Sequence, residues 1–256
     1  MKLLPPNIIT SLLKHAIDNE LPYSMVRLGD GEWVVIKYPK FDSLQKCKDR
    51  INRWFDSDLL NNKQIISIRN QIHAACINAD ILGIPSQREM NIISKWKRFI
   101  PIGKALNILS KKQKLFHFYT VQQIDYKKLL ADVDEVYCIT CRDIRDQLKK
   151  KFELKKVNMF LLPPEDFIWN PTMRRHNRTI NRTRHYPEMF ETIMQYIKSH
   201  NIRGKIFLIG AGGLGKSYCN HVKRNGGIGI DVGALFDGWA GFYSRPFLKN
   251  PERFKL

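Results

Sequence analysis

Apolar positions along this chain follow two alternating periods, one typical of helices and one of strands. Between 8 and 17, apolar residues recur three and four positions apart, which predicts an amphipathic helix. Further helical patterns lie at about 43–60, 87–109, 122–131, 142–153, 187–200 and 214–225. Short apolar runs predict strands at 23–28, 115–119, 135–140, 157–162, 205–209 and 227–232, and the stretch 64–84 fits either element. Strands that alternate with helices predict an α/β fold, an open, mainly parallel sheet with helices on both faces.

The strand predicted at 205–209 runs directly into a glycine-rich turn and then into a helix. Glycines permit positive φ and a close approach of the backbone to a ligand, and the amides that open a helix can face an anion. Two motifs fit the same residues, the G-x-G-x-x-G of a dinucleotide site and the G-x-x-x-x-G-K-S of a P-loop. Both predict binding of a phosphate group, and the residues concerned are Gly210, Gly212, Gly213, Gly215, Lys216 and Ser217.

The position of this turn in the chain argues against both standard domains. Only 40 residues follow Lys216, too few for the remaining strands of a P-loop NTPase or of a dinucleotide domain that begins at its fingerprint. A further strand does follow, and Asp231 lies 19 residues beyond Gly212, where a dinucleotide site places its ribose-binding acid. A nucleotide ligand is therefore favoured over a turn that binds nothing.

The composition narrows the class of protein. Of the 256 residues 43% are hydrophobic, enough for one substantial core, and we expect a single domain over 1–256. The sequence contains no run of about 18 apolar residues that would predict a membrane-spanning helix. The five cysteines, an odd number, fit a reducing compartment better than a disulfide framework. Together these features predict a soluble, cytoplasmic protein.

The net charge of +19 predicts attraction to anions such as nucleotide sugars, acidic glycans, membrane surfaces or nucleic acid. Five arginines fall within the eleven residues 174–184, and arginine suits phosphate and carboxylate recognition. We interpret this segment as an anion-facing loop, with Arg174, Arg175 and Arg178 as acceptor-binding candidates; the alternative is a solvated surface. No helix-turn-helix, zinc-finger or RRM signature accompanies the charge, so we expect no nucleic acid partner.

The first predicted strand ends in an acidic turn. Asp30 and Glu32 form a D-x-E pair flanked by glycines, which can place two carboxylates on one hard cation such as Mg²⁺ or Mn²⁺. The alternative is a tight turn in which Glu32 caps the next helix. Because ligands of such sheets bind beyond the carboxyl ends of strands, this turn, the glycine turn and the Asp231 segment are the predicted site.

Six segments share their order and spacing with one family: 27–32 (RLGDGE), 138–143 (CITCRD), 185–187 (HYP), 210–216 (GAGGLGK), 226–233 (GGIGIDVG) and 236–239 (FDGW). In this arrangement the chain resembles the GT-D type glycosyltransferases, over about residues 20–245. That family occurs in bacterial surface-polysaccharide and glycoprotein-glycan synthesis.

The resemblance implies a Rossmann-like fold that binds a nucleotide sugar, in the first instance a UDP-sugar. Asp30 and Glu32 fall on the D-x-E pair that serves Mn²⁺ or Mg²⁺, and Arg27 would lie beside the diphosphate. The glycine turn with Lys216 and Ser217, and Asp231, are assigned to donor binding. The acceptor would be a glycan or lipid-linked glycan of lipopolysaccharide or capsule synthesis. Such an acceptor is compatible with peripheral contact between the protein and the inner face of the membrane.

The catalytic base is open at this point. If the anomeric centre inverts, a base must take the proton of the acceptor hydroxyl. His185, Asp231, Asp237 and Glu165 are candidates, of which we favour His185 or Asp231, while a purely structural role fits His185 equally well. Two other functions also stay open, a P-loop or dinucleotide-binding enzyme and a basic nucleic-acid-binding protein.

Overall fold

A computed structural model describes residues 3–39, 42–55, 60–85, 114–163, 183–245, 248 and 254–256, without the side chains of Asp30, Arg53 and Phe55. Within this part, seven strands form one sheet. The strands are β1 (Tyr23–Arg27), β2 (Ile81–Ile84), β3 (Lys114–His117), β4 (Glu135–Thr140), β5 (Lys156–Leu161), β6 (Ile206–Gly210) and β7 (Ile228–Asp231).

The described α-helices lie between and around these strands. They are α1 (Pro6–Asp18), α2 (Asp30–Ile36), α3 (Leu44–Phe55), α4 (Asn62–Asn78), α5 (Tyr126–Leu129), α6 (Arg145–Phe152), α7 (Phe190–Ser199), α8 (Gly215–Arg224) and α9 (Leu235–Trp239). Short 3₁₀ turns cover Phe118–Gln123 and Gly212–Leu214, and a kinked turn with Tyr186 in an extended conformation covers His185–Met189. No helix among these is long and apolar enough to cross a lipid bilayer.

The strand order is β3-β2-β1-β7-β6-β4-β5, and every neighbouring pair is parallel. Met25 of β1 and Leu208 of β6 both lie opposite Ile230 of β7, so these three strands end at the same level. The predicted open, parallel sheet is confirmed. The carboxyl ends of β1, β7 and β6 form one continuous edge, although these strands are far apart in the sequence.

Apolar residues of the strands contribute to two separate hydrophobic cores, one on each face of the sheet. Val26 and Phe207 belong to one core, while their neighbours Met25 and Leu208 belong to the other. This follows from the alternation of side chains along a strand. Helices α3, α4, α7 and α8 pack on the first face and α1, α5 and α6 on the second, which confirms the prediction of helices on both faces.

Most sequence-based elements are present within a few residues of their predicted bounds. The ambiguous stretch 64–84 divides into α4 and β2, and the helix expected at 122–131 is reduced to α5 after a 3₁₀ turn. Helices α2 and α9, of seven and five residues, were not predicted. They are too short to display a 3.6-residue period. The helix expected at 87–109 lies outside the described residues.

Candidate functional site

The three segments predicted to bind a ligand meet at the carboxyl edge of β1, β7 and β6. Arg27 ends β1, Asp231 ends β7, and Lys216 lies in the first turn of α8, which follows the glycine turn after β6. Because Asp231 and Gly229 lie two residues apart on β7, both face the side of the sheet on which α8 packs. A Cβ on Gly229 would be 2.8 Å from the Cys219 Cα, so the glycine allows α8 to pack closely.

Lys216 connects the segments through buried ion pairs. Its Nζ lies 2.8 Å from the Glu32 Oε1 and 3.1 Å from the Asp231 Oδ2, and it also donates to the Gly212 carbonyl at 3.1 Å. Glu32 reaches this position because α2 begins immediately after Gly29. The exposed fractions are 5% for Lys216, 7% for Glu32 and 1% for Asp231, so these charges interact in a largely water-free environment.

Arg27 completes the cluster from the other side of Asp231. Its Nη2 lies 3.1 Å from the Asp231 Oδ1, and its backbone N–H donates to the Asp231 Oδ2 at 3.1 Å. A Cβ on Gly233 would be 1.6 Å from the Arg27 Nη2, so only glycine leaves room for the guanidinium. The Arg27 Nε is buried and has no hydrogen-bond partner in the described part of the chain. A buried donor without a partner is costly, and an anionic ligand would satisfy it.

We call Arg27, Glu32, Lys216 and Asp231 the charge quartet. Burial alone raises the pKa of Asp231, but the charges of Lys216 and Arg27 outweigh it and hold the pKa below its usual value. Burial likewise lowers the pKa of Lys216, but Asp231 and Glu32 outweigh it and raise the pKa above its usual value. The two positive charges and the two negative charges of the quartet therefore cancel one another.

The glycine turn is shaped in large part by protein contacts. A Cβ on Gly213 would lie 2.3 Å from the Trp54 ring of α3, and one on Gly210 would lie 2.6 Å from Phe236. Gly212 has a positive φ of 51°. Close packing thus accounts for Gly210 and Gly213 without a ligand, whereas Gly215 has ordinary room, 3.4 Å from Ile209. Donor binding by these glycines stays a prediction.

Ser217 lies in the first turn of α8, beside Lys216. Its side chain is fully buried, and its Oγ has no hydrogen-bond partner among the described residues. The hydroxyl therefore does not reach solvent directly in this conformation. Donor binding by Ser217 also stays a prediction.

The described residues supply only part of the predicted metal site. Asp30 begins α2, but its side chain is not described. The Glu32 carboxylate is already paired with Lys216, and no group of three or more His, Cys, Asp or Glu side chains in the described part is arranged to hold a metal ion. A divalent cation here would need Asp30 as a second ligand and a change in the contacts of Glu32.

His185, one of the two favoured bases, packs inside the helical layer. It is 6% exposed, its Nε2 lies 3.2 Å from the Tyr218 hydroxyl, and the two rings stack with an interplanar angle of 13°. Burial lowers the pKa of His185 to about 3, which keeps the imidazole neutral. These contacts describe a packed side chain, and its role as a base stays a prediction.

Sequence reasoning assigned no role to Arg142, which follows β4 at the same edge of the sheet. Its Nε donates to the Asp237 Oδ1 at 2.7 Å, its guanidinium lies 4.3 Å from the centre of the Phe242 ring, and the Ser244 hydroxyl also donates to Asp237. Asp237, a candidate base, is therefore held by two donors. The signal was present, because Arg142 belongs to the segment 138–143 that carries the resemblance.

Arg174, Arg175, Arg178 and Glu165 lie outside the described residues. Their predicted roles stay predictions.

A family model for the GT-D fold-like domain matches residues 4–239, nearly the whole chain. The chain belongs to this family. The predicted resemblance to the GT-D type is thereby confirmed, and the all-parallel sheet described above is its architecture. No curated protein matches the sequence.

Two solved structures resemble this fold at low sequence identity. One is described as the highly conserved domain of unknown function 1792 with a distinct glycosyltransferase fold; it has a TM-score of 0.54 and 12% identity, covering 98% of this chain and 89% of that one. The other is described as a new glycosyltransferase (DUF1792) from Streptococcus sanguinis, with a TM-score of 0.52 and 13% identity over 90% of this chain and 82% of that one. At such identities the likeness establishes a glycosyltransferase fold.

Proposed function

We propose that this protein transfers a sugar from a nucleotide-sugar donor, in the first instance a UDP-sugar, to a glycan or lipid-linked glycan in surface-polysaccharide synthesis. One observation carries the proposal. Arg27 presents a buried Nε without a described partner at the sheet edge where the glycine turn and Asp231 also lie. In open parallel sheets this edge is where ligands bind, and a diphosphate oxygen is an acceptor that a guanidinium prefers.

The chemistry requires positive charge near the departing nucleoside diphosphate. Cleavage of the sugar–phosphate bond builds negative charge on the leaving group, and a cation held in place stabilises the transition state more than the ground state. Arg27 would supply part of that charge. Because the quartet is balanced internally, a donor diphosphate needs a further cation, which supports the proposal that Asp30 and Glu32 hold Mn²⁺ or Mg²⁺. Such an ion, when bound, supplies Lewis-acid stabilisation of the diphosphate.

The acceptor side of the proposal depends on the arginine-rich segment 174–184. Arg174, Arg175 and Arg178 would bind the anionic group of a lipid-linked diphosphate or an acidic glycan. The net charge of +19 also favours peripheral contact with the anionic inner face of a membrane. For the proton of the acceptor hydroxyl, Asp231 and His185 remain the proposed bases; Asp231 would have to leave Lys216, and His185 would have to leave Tyr218.

Binding of UDP and uridine to the wild type and to Arg27→Lys, measured by calorimetry, tests the donor site. Arg27→Lys keeps the charge but removes the planar fork and its Nε, so we expect UDP binding to weaken about tenfold or more while uridine binding changes little. Arg224→Lys, at the exposed far end of α8, is the matched control and should behave as the wild type. Equal UDP affinity in Arg27→Lys and the wild type would contradict the proposed site.

A further inference from the structure

The ammonium group of Lys216 is already surrounded by acceptors of the protein. A lysine ammonium carries three N–H donors, and Lys216 has three described acceptors within 3.1 Å. They are the Glu32 Oε1, the Asp231 Oδ2 and the Gly212 carbonyl. Binding a diphosphate through Lys216, as the glycine-turn motif predicts, would break at least one of these contacts.

Breaking such a contact has an electrostatic consequence. Glu32 and Asp231 are buried, and a buried carboxylate that loses its cation is strongly destabilised. Any group that displaces Lys216 from Glu32 must therefore bring positive charge of its own. An anionic ligand does not satisfy that condition, whereas a divalent cation does.

Lys216 also joins three parts of the site that are distant in the sequence. Glu32 lies on α2 after β1, Asp231 ends β7, and Gly212 lies in the turn after β6. The ammonium thus fixes the Glu32 side chain relative to the sheet edge before any ligand arrives.

From this geometry we propose that Lys216 is a positioning residue and an internal counter-ion. It holds Glu32 in place in the metal-free protein and competes with a divalent cation for that carboxylate. The inference rests on the metal-binding part of the proposed function. It departs from the phosphate-binding role that the glycine-turn motif predicts for Lys216.

The test is the affinity for Mn²⁺ without any nucleotide, measured from the electron paramagnetic resonance signal of free Mn²⁺. Lys216→Met removes the charge and keeps much of the side-chain volume, so we expect it to bind Mn²⁺ about tenfold more tightly than the wild type. Lys216→Gln gives a second neutral variant in case the first does not fold. Lys223→Met is the matched control, because Lys223 lies on the same helix and also contacts an aspartate, Asp80, and a carbonyl; we expect it to match the wild type.

Three results would overturn the proposal. The first is unchanged or weaker Mn²⁺ binding in the two neutral Lys216 variants. The second is a loss of UDP affinity, but not of uridine affinity, in Lys216→Met with EDTA present, since this would make Lys216 a phosphate ligand. The third is the absence of Mn²⁺ binding in the wild type and in every variant. That result would not affect the proposed nucleotide site, which the Arg27 variant tests separately.

Discussion

At the residue scale, the charge quartet makes the stability of the protein depend on each of its four charged side chains. Asp231 forms an ion pair with Lys216 and accepts hydrogen bonds from both the side chain and the backbone of Arg27. Its replacement by asparagine leaves two buried cations to share one remaining carboxylate, Glu32. The pairing is thus a structural requirement of the site, whichever ligand binds there.

We predict that Asp231→Asn lowers the free energy of unfolding by roughly 3–5 kcal/mol, because one member of a buried ion-pair network is removed. Urea denaturation followed by circular dichroism measures the change. Asp134→Asn is the control, since Asp134 pairs with Lys155 on the exposed surface, and it should change stability little. A small effect of Asp231→Asn would mean that the quartet is not formed as described.

The burial of His185 leads us to predict a specific dependence of the free energy of unfolding on pH. Its folded pKa of about 3 lies below the ordinary value for histidine. Between those two values the unfolded chain binds a proton that the folded protein does not, so stability falls as the pH falls. From pH 7 to pH 5 the wild type should lose about 2 kcal/mol more than His185→Gln.

The measurement is the free energy of unfolding at both pH values for each protein. His200→Gln removes an exposed histidine and should follow the wild type. Parallel pH profiles for the wild type and His185→Gln would show that His185 is accessible to protons in the folded state. That result would favour His185 as the base over its structural role.

At the scale of elements, the glycine turn is held against α3 by the contact between Gly213 and Trp54. Gly213→Ala places a methyl group against a ring that is 9% exposed, and overpacking of this kind costs about 1–3 kcal/mol. Gly215→Ala is the control, because its Cβ would make only ordinary contacts and alanine favours the helix. Thermal unfolding should show a lower melting temperature for Gly213→Ala alone.

The segment after β7 gives a second pair of glycines for comparison. Gly233 and Gly241 both have positive φ, at 53° and 77°, so alanine at either position carries backbone strain of about 1–2 kcal/mol. Only at Gly233 would the added Cβ also collide with Arg27. We therefore predict that Gly233→Ala weakens UDP binding as Arg27→Lys does, whereas Gly241→Ala preserves it. Equal UDP affinity in the two alanine variants would show that Arg27 is not part of the donor site.

Local patterns identified the long elements and the ends of strands, and with them Glu32, Lys216 and Asp231. Arg27 was assigned from the resemblance to the GT-D type. Local patterns did not reveal that these four residues contact one another. That arrangement depends on the strand order β1-β7-β6, which is a property of the whole sheet and leaves no trace in local periodicity. For the same reason the motif suggested a phosphate ligand for Lys216, while the fold surrounds its ammonium with acceptors from the protein.

At the scale of the whole molecule, the excess of basic residues raises the question of which of them meet the acceptor. We predict that replacing Arg174, Arg175 and Arg178 by alanine raises the acceptor KM and flattens its dependence on salt, with donor hydrolysis unchanged. Alanine at Lys149, Lys150 and Lys151 removes the same charge at the end of α6 and serves as the control. If both triple variants behave alike, net charge rather than these three arginines attracts the acceptor.

The central claim is that the sheet edge formed by β1, β7 and β6 binds and cleaves a nucleotide sugar. The most direct test incubates the protein with UDP-, GDP- and CMP-sugars and Mn²⁺ without an acceptor, and measures the free nucleotide that is released. We predict slow hydrolysis of one donor class, with UDP-sugars first, which EDTA abolishes and Arg27→Lys reduces strongly. Release of no nucleotide from any donor, together with no thermal stabilisation by any of them, would contradict the claim.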